Sequence, residues 1–329
     1  MYERNGERSS DRSWQVEPGP RAVRLDAFLR RCVPGASLRE IRRWIEAGKV
    51  RIDRRTGKKG DILAGGETVR FCGPREWLAP APVPRSDLEV MTIYEDDAIL
   101  VLDKPAGMAT HGFSGRESNS IANYLAAKRP LLRSVGKNVW EPGLVHRLDR
   151  ETSGLVLVAK EQEVFTALRL QFQQRQVQKK YRALVAARTE KKGVIDYPLS
   201  HDPADRRKMK IAQDSATGGR KRKQWEALTR FERTAYTEEF SLLEVEMTTG
   251  VTHQIRAHLA AIGHPLVGDA LYGSGQAPAG FPRRHFLHAH YLRIFHPRSS
   301  EPVAFESPLP PELEEMLERL GMNAPKPFR

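Results

Sequence analysis

The residues best placed to do chemistry lie in one polar stretch, His146 to Lys160, reading HRLDRETSGLVLVAK. Asp149 falls between Arg147 and Arg150. A carboxylate flanked by two guanidiniums is expected to stay ionised, because each nearby positive charge favours the charged form. An ionised carboxylate suits nucleophilic or general-base work rather than work as a neutral acid. Thr152 and Ser153 can hydrogen-bond the loop backbone and fix its shape. Gly154 to Ala159 is a run of Leu and Val typical of a buried strand. Asp149 is therefore expected in a short polar loop that feeds a core strand. The same residues also describe an ordinary Asx-type turn with solvated arginines, and residue types alone leave both readings open.

Ten histidines raise the question of a metal. His253 and His258 are five apart, which on a helix puts them on different faces. His288 and His290 would share a strand face, but His285 would not. There is no H-E-x-x-H and no cysteine cluster, since Cys32 and Cys72 are the only cysteines and lie far apart. No Gly-rich phosphate loop or dinucleotide fingerprint is present. Neither a metal nor a cofactor is expected.

Net charge is +13 over 329 residues, with a pI near 9.9. That balance favours a polyanionic partner, RNA or DNA, over acidic small molecules. A basic membrane-surface protein is the rival reading, but no basic amphipathic anchor stands out. No apolar run reaches the roughly 18 residues of a membrane span. The opening MYERNGERSSDRSW lacks a secretory apolar core. A cytoplasmic monomer is the default expectation.

The elements that must position these residues follow from patterning. Residues 1–20 are polar and read as a disordered lead. Residues 21–73 read as a small αβ domain. Leu25, Phe28, Leu29 and Val33 recur at helical spacing, and Ser37 with Glu40 forms a capping box for a second helix. Leu38, Ile41, Trp44 and Ile45 make its apolar face, Arg39, Arg42 and Arg43 fall largely off that face, and Gly48 ends it. Strands are expected near Val50–Ile52 and Thr68–Cys72. Residues 74–87, with Pro74, Pro80, Pro82 and Pro84, read as a stiff linker.

Residues 88–329 then form the larger domain. Strands are expected at Val90–Tyr94 and Ala98–Leu102, followed by a tight turn at Lys104-Pro105-Ala106-Gly107, where Lys104 is read as structural. Helices are expected at Ser120–Lys128 and Gln162–Gln176, and a strand at Arg182–Ala186. His201 to Gln224 carries Arg206, Arg207, Lys208, Lys210, Arg220, Lys221, Arg222 and Lys223. It is too long and polar for a tight turn, so it reads as a mobile loop or extended hairpin. Such a segment could clamp a phosphate backbone or be merely solvated charge. Strands at Phe240–Met247 and His285–Pro297 and a helix at Pro310–Leu320 complete the domain.

The order of residues in His146–Gly154 resembles the signature H-R-L-D-x-x-T-S-G of the RluA family of pseudouridine synthases. The resemblance implies that Asp149 is catalytic. Lys179 and Tyr181 match that family's K-x-Y-x-A-L-V block, which implies that Tyr181 stacks on the target base. Thr248 to Gly273 is similar to its third block, which implies that Arg256 pairs with Asp149. Val251 stands where that pattern usually has Arg or Lys. The two basic helices and small sheet of residues 21–73 resemble the S4 RNA-binding module. The usual Asn-Gly turn is replaced by a more basic and longer one, Asp53 to Gly57. The implied fold is α+β: a mixed, mainly antiparallel sheet with the active cleft across its middle, preceded by the S4-like domain.

The implied activity is isomerisation of uridine to pseudouridine in structured RNA. Large-subunit ribosomal RNA is the first expected target and transfer RNA the second. A catalytically inactive RNA-binding protein and another glycosidic-bond enzyme are the alternatives. Arg39, Arg42, Arg43, Arg147, Arg150, Lys179, Arg206, Arg207 and Lys208 are the candidate RNA-contacting cations.

Overall fold

Leu25, Phe28 and Leu29 recur at helical spacing, as do Ile41, Trp44 and Ile45, and in the computed structural model all six side chains meet in one buried core. The structure describes residues 12–19, 22–33, 36, 38–73, 81–112, 117–212, 223–273 and 277–322. These fall into two compact units, residues 1–83 with 112–117, and residues 84–111 with 118–329.

The first unit runs β1 (Arg12–Gln15), β2 (Val23–Arg24), α1 (Leu25–Cys32), α2 (Leu38–Glu46), β3 (Val50–Ile52), β4 (Arg55–Thr56), β5 (Ile62–Leu63) and β6 (Thr68–Phe71). One sheet has the order β1-β6-β3-β4, and β2 pairs with β5. Two expectations are corrected here. Residues 12–15, placed in a disordered lead, form a strand antiparallel to β6, with Trp14 opposite Val69 and Val16 buried just beyond it. The alternation of Trp14 and Val16 with polar neighbours is only one repeat long, too short to stand out in a charged segment. The turn after β3 is not longer than usual. Ile52 pairs with Arg55, leaving a two-residue loop, Asp53-Arg54, and Asp53 takes the left-handed conformation that an Asn or Gly often fills (φ 50°). Its carboxylate accepts the Thr68 N–H at 2.8 Å. Ser37 of the expected capping box, most of the lead and residues 74–80 of the expected linker lie outside the described residues. Residues 84–87 belong to the second unit, where the Arg85 N–H donates to the Asn123 carbonyl.

The second unit continues with β7 (Met91–Glu95), β8 (Ile99–Lys104), α3 (Ile121–Lys128), β9 (Ser153–Ala159), α4 (Gln162–Gln173) and β10 (Gln178–Ala186). Next come β11 (Lys192–Asp196), β12 (Leu199–His201), β13 (Met209–Ile211), β14 (Gln224–Trp225), β15 (Leu228–Tyr236) and β16 (Phe240–Met247). The unit closes with α5 (Gln254–Ala261), β17 (Leu287–Phe295), β18 (Pro302–Glu306) and α6 (Pro311–Arg319). Its main sheet has the order β11-β15-β16-β10-β17-β9-β8-β7, with β18 also on β17. Every pairing in it is antiparallel except β9 with β17. The fold is thus α+β on a mixed, mainly antiparallel sheet. The segment from His201 to Gln224 contributes β13 and the first residue of β14, both paired to β12. Arg220, Lys221 and Arg222 lie outside the described residues.

The parallel seam decides where a site can form. β9 and β17 pair only at Ser153↔His288 and Gly154↔Ala289. Gly154 has φ 113°, and a Cβ there would stand 2.3 Å from the Ala289 carbonyl oxygen, so only glycine allows the approach. Beyond it β18 takes over the edge of β17. The freed edge of β9 is covered by the preceding chain: the Ala159 N–H donates to the Gly143 carbonyl, and the Leu157 N–H to His146 Nε2 at 2.9 Å. The polar loop 147–152 leads directly into this short seam.

Candidate active site

Loop 147–152 is held from below. Lys104, fully buried at the end of β8, donates to the carbonyls of Pro105, Met108 and Arg150 at 3.0, 2.7 and 3.1 Å. Its structural reading is what the geometry displays. Burial pulls its ammonium down to about 7. Thr110 Oγ1 donates to the Leu148 carbonyl and accepts the Leu148 N–H, fixing the residue before Asp149 from both sides. The Thr152 N–H donates to the Asp149 carbonyl at 3.1 Å. The side chains expected to shape the loop backbone reach elsewhere: Thr152 Oγ1 pairs with the His285 ring at 2.8 Å and Ser153 Oγ with the His288 ring at 2.9 Å.

Of the two flanking guanidiniums, Arg150 does not act as expected. Arg150 is exposed and turned away, its Nε donating to the Gly107 carbonyl at 2.9 Å. Arg147 is exposed at the mouth of the cavity. Instead the cation on the carboxylate comes from 107 residues downstream, where Arg256 Nη1 donates to Asp149 Oδ2 at 3.0 Å. Arg150 adjoins Asp149 in sequence yet reaches the other way, so adjacency there did not become contact.

Arg256 lies on α5 and is itself clamped. Its Nε and Nη2 donate to the two carboxylate oxygens of Asp269 at 2.7 and 2.9 Å, and Asp269 Oδ1 also accepts the N–H groups of Leu271 and Tyr272. Burial disfavours the charge on Arg256, but the fork on Asp269 and the nearby Asp149 outweigh it and raise its pKa. Burial likewise opposes ionisation of Asp269, and the Arg256 hydrogen bonds reverse the sign and lower it. A bidentate fork leaves one guanidinium edge aimed at Asp149 in a fixed direction.

Around these groups is a cavity of about 370 Å³ whose lining includes Asp149, Tyr181, Arg256, His253, Lys179 and Phe172. Tyr181 is buried (5% exposed) in β10, at the point between Lys180 and Arg182 where the register with β17 shifts. Its strand starts earlier than expected, at Gln178, because Lys179 and Lys180 have partners inside the sheet: Lys180 pairs with Glu244 at 3.0 Å, and Lys179 Nζ donates to the Thr249 carbonyl at 2.8 Å. Burial and the charge of Asp149 push the Tyr181 phenol up, so it stays protonated. Burial lowers Lys179 to about 8.

Val251, which stands where a basic residue was anticipated, packs beside Trp225, Ala257 and Tyr272 in a small apolar cluster. Of the remaining cations, Arg39, Arg206 and Arg207 are exposed, whereas Arg43 and Lys208 are half-buried. Arg42 is tied to Asp26 at 3.2 Å and Arg207 to Asp205 at 2.8 Å. Sequence reasoning placed His253, Asp269 and Tyr272 in the third block without giving them a role there, and weighed His253 besides only as a metal ligand. Their tell was the i, i+3 spacing of Asp269 and Tyr272 just beyond α5. Among the described residues, no three His, Cys, Asp or Glu side chains gather as metal ligands would, and no helix is long and apolar enough to cross a membrane.

Comparison with known proteins gives the same direction. The family described as RNA pseudouridylate synthase matches residues 98–261, and the S4 domain matches residues 23–69. An uncharacterized RNA pseudouridine synthase of Chloroflexus aurantiacus is 36% identical over 94% of this chain and 93% of its own. The ribosomal large subunit pseudouridine synthase D of Xanthomonas campestris pv. campestris is 34% identical over 95% of this chain and 93% of its own. Among solved structures, human RNA Pseudouridylate Synthase Domain Containing 4 superposes with a TM-score of 0.56 at 25% identity, covering 71% of this chain and 94% of that one.

Proposed function

Because the chain belongs to the RNA pseudouridylate synthase family and carries an S4 domain ahead of the matching region, we propose that it isomerises uridine to pseudouridine in large-subunit ribosomal RNA, with Asp149 acting on the ribose. One observation carries the assignment of roles. A single ionisable carboxylate faces the cavity, tied through Oδ2 alone to a clamped guanidinium, while among the described residues no hydrogen-bond donor meets Oδ1. That leaves one oxygen for the substrate.

The reaction breaks the bond from C1′ to N1, turns the base, and forms a bond from C1′ to C5. The C5 proton is lost and N1 gains one, so atoms balance without a co-reactant. A uridine must leave its stack to reach the cavity. Asp149 Oδ1 then attacks C1′ or takes the C2′ proton; either needs an ionised carboxylate. Arg256 holds that carboxylate and stabilises negative charge on the detached base from a fixed, water-poor position. Tyr181, in the wall of the cavity, acts through its ring as a stacking surface. Large-subunit ribosomal RNA is supported by the names of relatives such as the Xanthomonas protein. The S4 domain, with Arg39 exposed on α2, binds RNA by phosphate contacts and leaves chemistry to the second unit. The exposed cations Arg206 and Arg207, just ahead of β13, make phosphate contacts of the same kind. A ribosomal RNA substrate supports reading it as a cytoplasmic enzyme.

The test is Asp149→Asn, assayed by pseudouridine formation in ribosomal RNA transcripts and by RNA binding. The expected result is no turnover with RNA affinity retained, since a half-buried loop carboxylate contributes little packing. Turnover above a small fraction of wild type would reject Asp149 as the acting group. Release of free uracil would reject isomerisation in favour of hydrolysis.

A further inference from the structure

We propose that His253 is a positioning residue for Asp149, a second donor to its tethered oxygen that is set in place by Tyr272 and, through it, by the basic hairpin at Met209. The inference rests on the assignment of Asp149 as the acting carboxylate. His253 is the N-cap of α5 and sits in the left-handed region, φ 55° and ψ 21°, with no side-chain capping bond. Glycine takes that conformation without cost, and Asn, Asp and His are the other residues enriched there. What the His253 ring does follows from its contacts.

The ring is held at one end and faces Asp149 at the other. Nδ1 lies 3.1 Å from Tyr272 Oη, and the ring meets Tyr272 edge-on. Tyr272 Oη already accepts the Met209 N–H at 2.7 Å, so its own proton is directed to Nδ1. That leaves the imidazole proton on Nε2, which faces Asp149 Oδ2 at 3.8 Å. This is the oxygen that Arg256 holds, so both donors converge on one side of the carboxylate and leave Oδ1 to the substrate. At 3.8 Å the contact is open, and about 1 Å of movement makes it a hydrogen bond. The groups facing the ring are Asp149, Arg256, Asp269, Arg147 and Tyr272, and burial, the strongest influence, keeps it neutral. A neutral donor orients the carboxylate without adding a second full charge to quench it. The far end of the chain is β13, whose Met209 is flanked by Arg206, Arg207, Lys208 and Lys210. Backbone of the RNA-facing hairpin, phenol, imidazole and carboxylate thus form one line of contacts.

The experiment separates the donor from the backbone. Full-length His253→Gly, His253→Asn, His253→Gln and Tyr272→Phe are compared in single-turnover pseudouridine formation at saturating enzyme, with RNA affinity and melting measured alongside. Gly and Asn accept the left-handed backbone but cannot reach Asp149; Gln places an amide N–H near where Nε2 stood. The expected result is a fall of about tenfold or more in rate for Gly and Asn, the equivalent of one hydrogen bond to a charged group, with melting unchanged or raised. Gln recovers most of the rate, and Tyr272→Phe falls between Gln and Gly, all with RNA affinity near wild type. Wild-type rates in Gly and Asn, or a Gln variant as slow as Gly, would overturn the proposal. Asp149→Asn runs in parallel. If it is active, the underlying assignment fails; if it is dead while Gly at 253 is fully active, only the role of His253 fails.

Discussion

Replacing Asp269 by Asn probes the part of the site to which sequence reasoning gave no role. Asp269 Oδ1 accepts three hydrogen bonds, from Arg256 Nη2 and the N–H groups of Leu271 and Tyr272, whereas Oδ2 accepts one, from Arg256 Nε at 2.7 Å. An Asn keeps its carbonyl at the Oδ1 position, which turns its amide NH2 against the Arg256 Nε–H. Donor then faces donor, and a buried guanidinium loses its full counter-charge. Breaking a buried pair by altering one partner costs about 3–5 kcal/mol. Asp149 remains as a partial partner, so the low end applies, about 3 kcal/mol, or a melting temperature lowered by roughly 6–12 °C for a unit of this size. Urea unfolding across pH adds a sign check. The Asp269 pKa is lowered in the folded state, so its contribution is present above the unfolded value and lost as pH falls through the folded one. The gap between wild type and Asp269→Asn should therefore be widest near neutrality and narrow in acid. Catalysis should fall together with stability, because Arg256 is free to swing. A loss below about 1 kcal/mol at neutral pH, or a gap that widens in acid, would refute the clamp.

Two further outcomes follow from the same geometry. Tyr181→Phe should keep binding and turnover near wild type, while Tyr181→Ala should lose roughly 1–3 kcal/mol of base stacking in substrate affinity; equal behaviour of the two variants would remove Tyr181 as a stacking wall. For Lys104, the folded pKa of about 7 lies below the ordinary lysine value, so the unfolded chain binds more protons between the two. Urea unfolding of wild type relative to Lys104→Met should therefore show its stability advantage rising as pH goes from 7 towards 10; a flat or falling difference would mean the ammonium is not desolvated.

What the sequence disclosed and what it withheld divide along physical lines. The loop carrying Asp149 and the strand after it were legible because a polar turn and an apolar run are local signals, each complete within a dozen residues. The pairing of Arg256 with Asp149 came only through resemblance, since nothing in either segment reveals a partner 107 residues away. Arg150 misled for the converse reason: adjacency in the chain looked like contact, and the loop geometry sent it to Gly107. β1 was missed because one alternation of Trp14 and Val16 is too short a pattern, and the head of β10 because two lysines read as surface when Glu244 and the Thr249 carbonyl receive them. His253 was weighed as a metal ligand; its left-handed backbone, which gives it its place, leaves no mark on the residue types around it.

The narrow parallel seam also sets a timetable for synthesis. Ser153 pairs with His288 and Gly154 with Ala289, contacts closed across 135 residues of chain. Chains are made from the N-terminus, and pairings this remote form late because a long loop must close before they are rewarded. The S4 domain and the signature loop therefore leave the ribosome well before Arg256, and longer still before the strand that forms the loop's floor. A partly made chain can hold RNA through its first unit while its carboxylate lacks a clamp and a cavity. The enzyme is thus unable to act on the ribosome that is making it until nearly all of the chain has emerged.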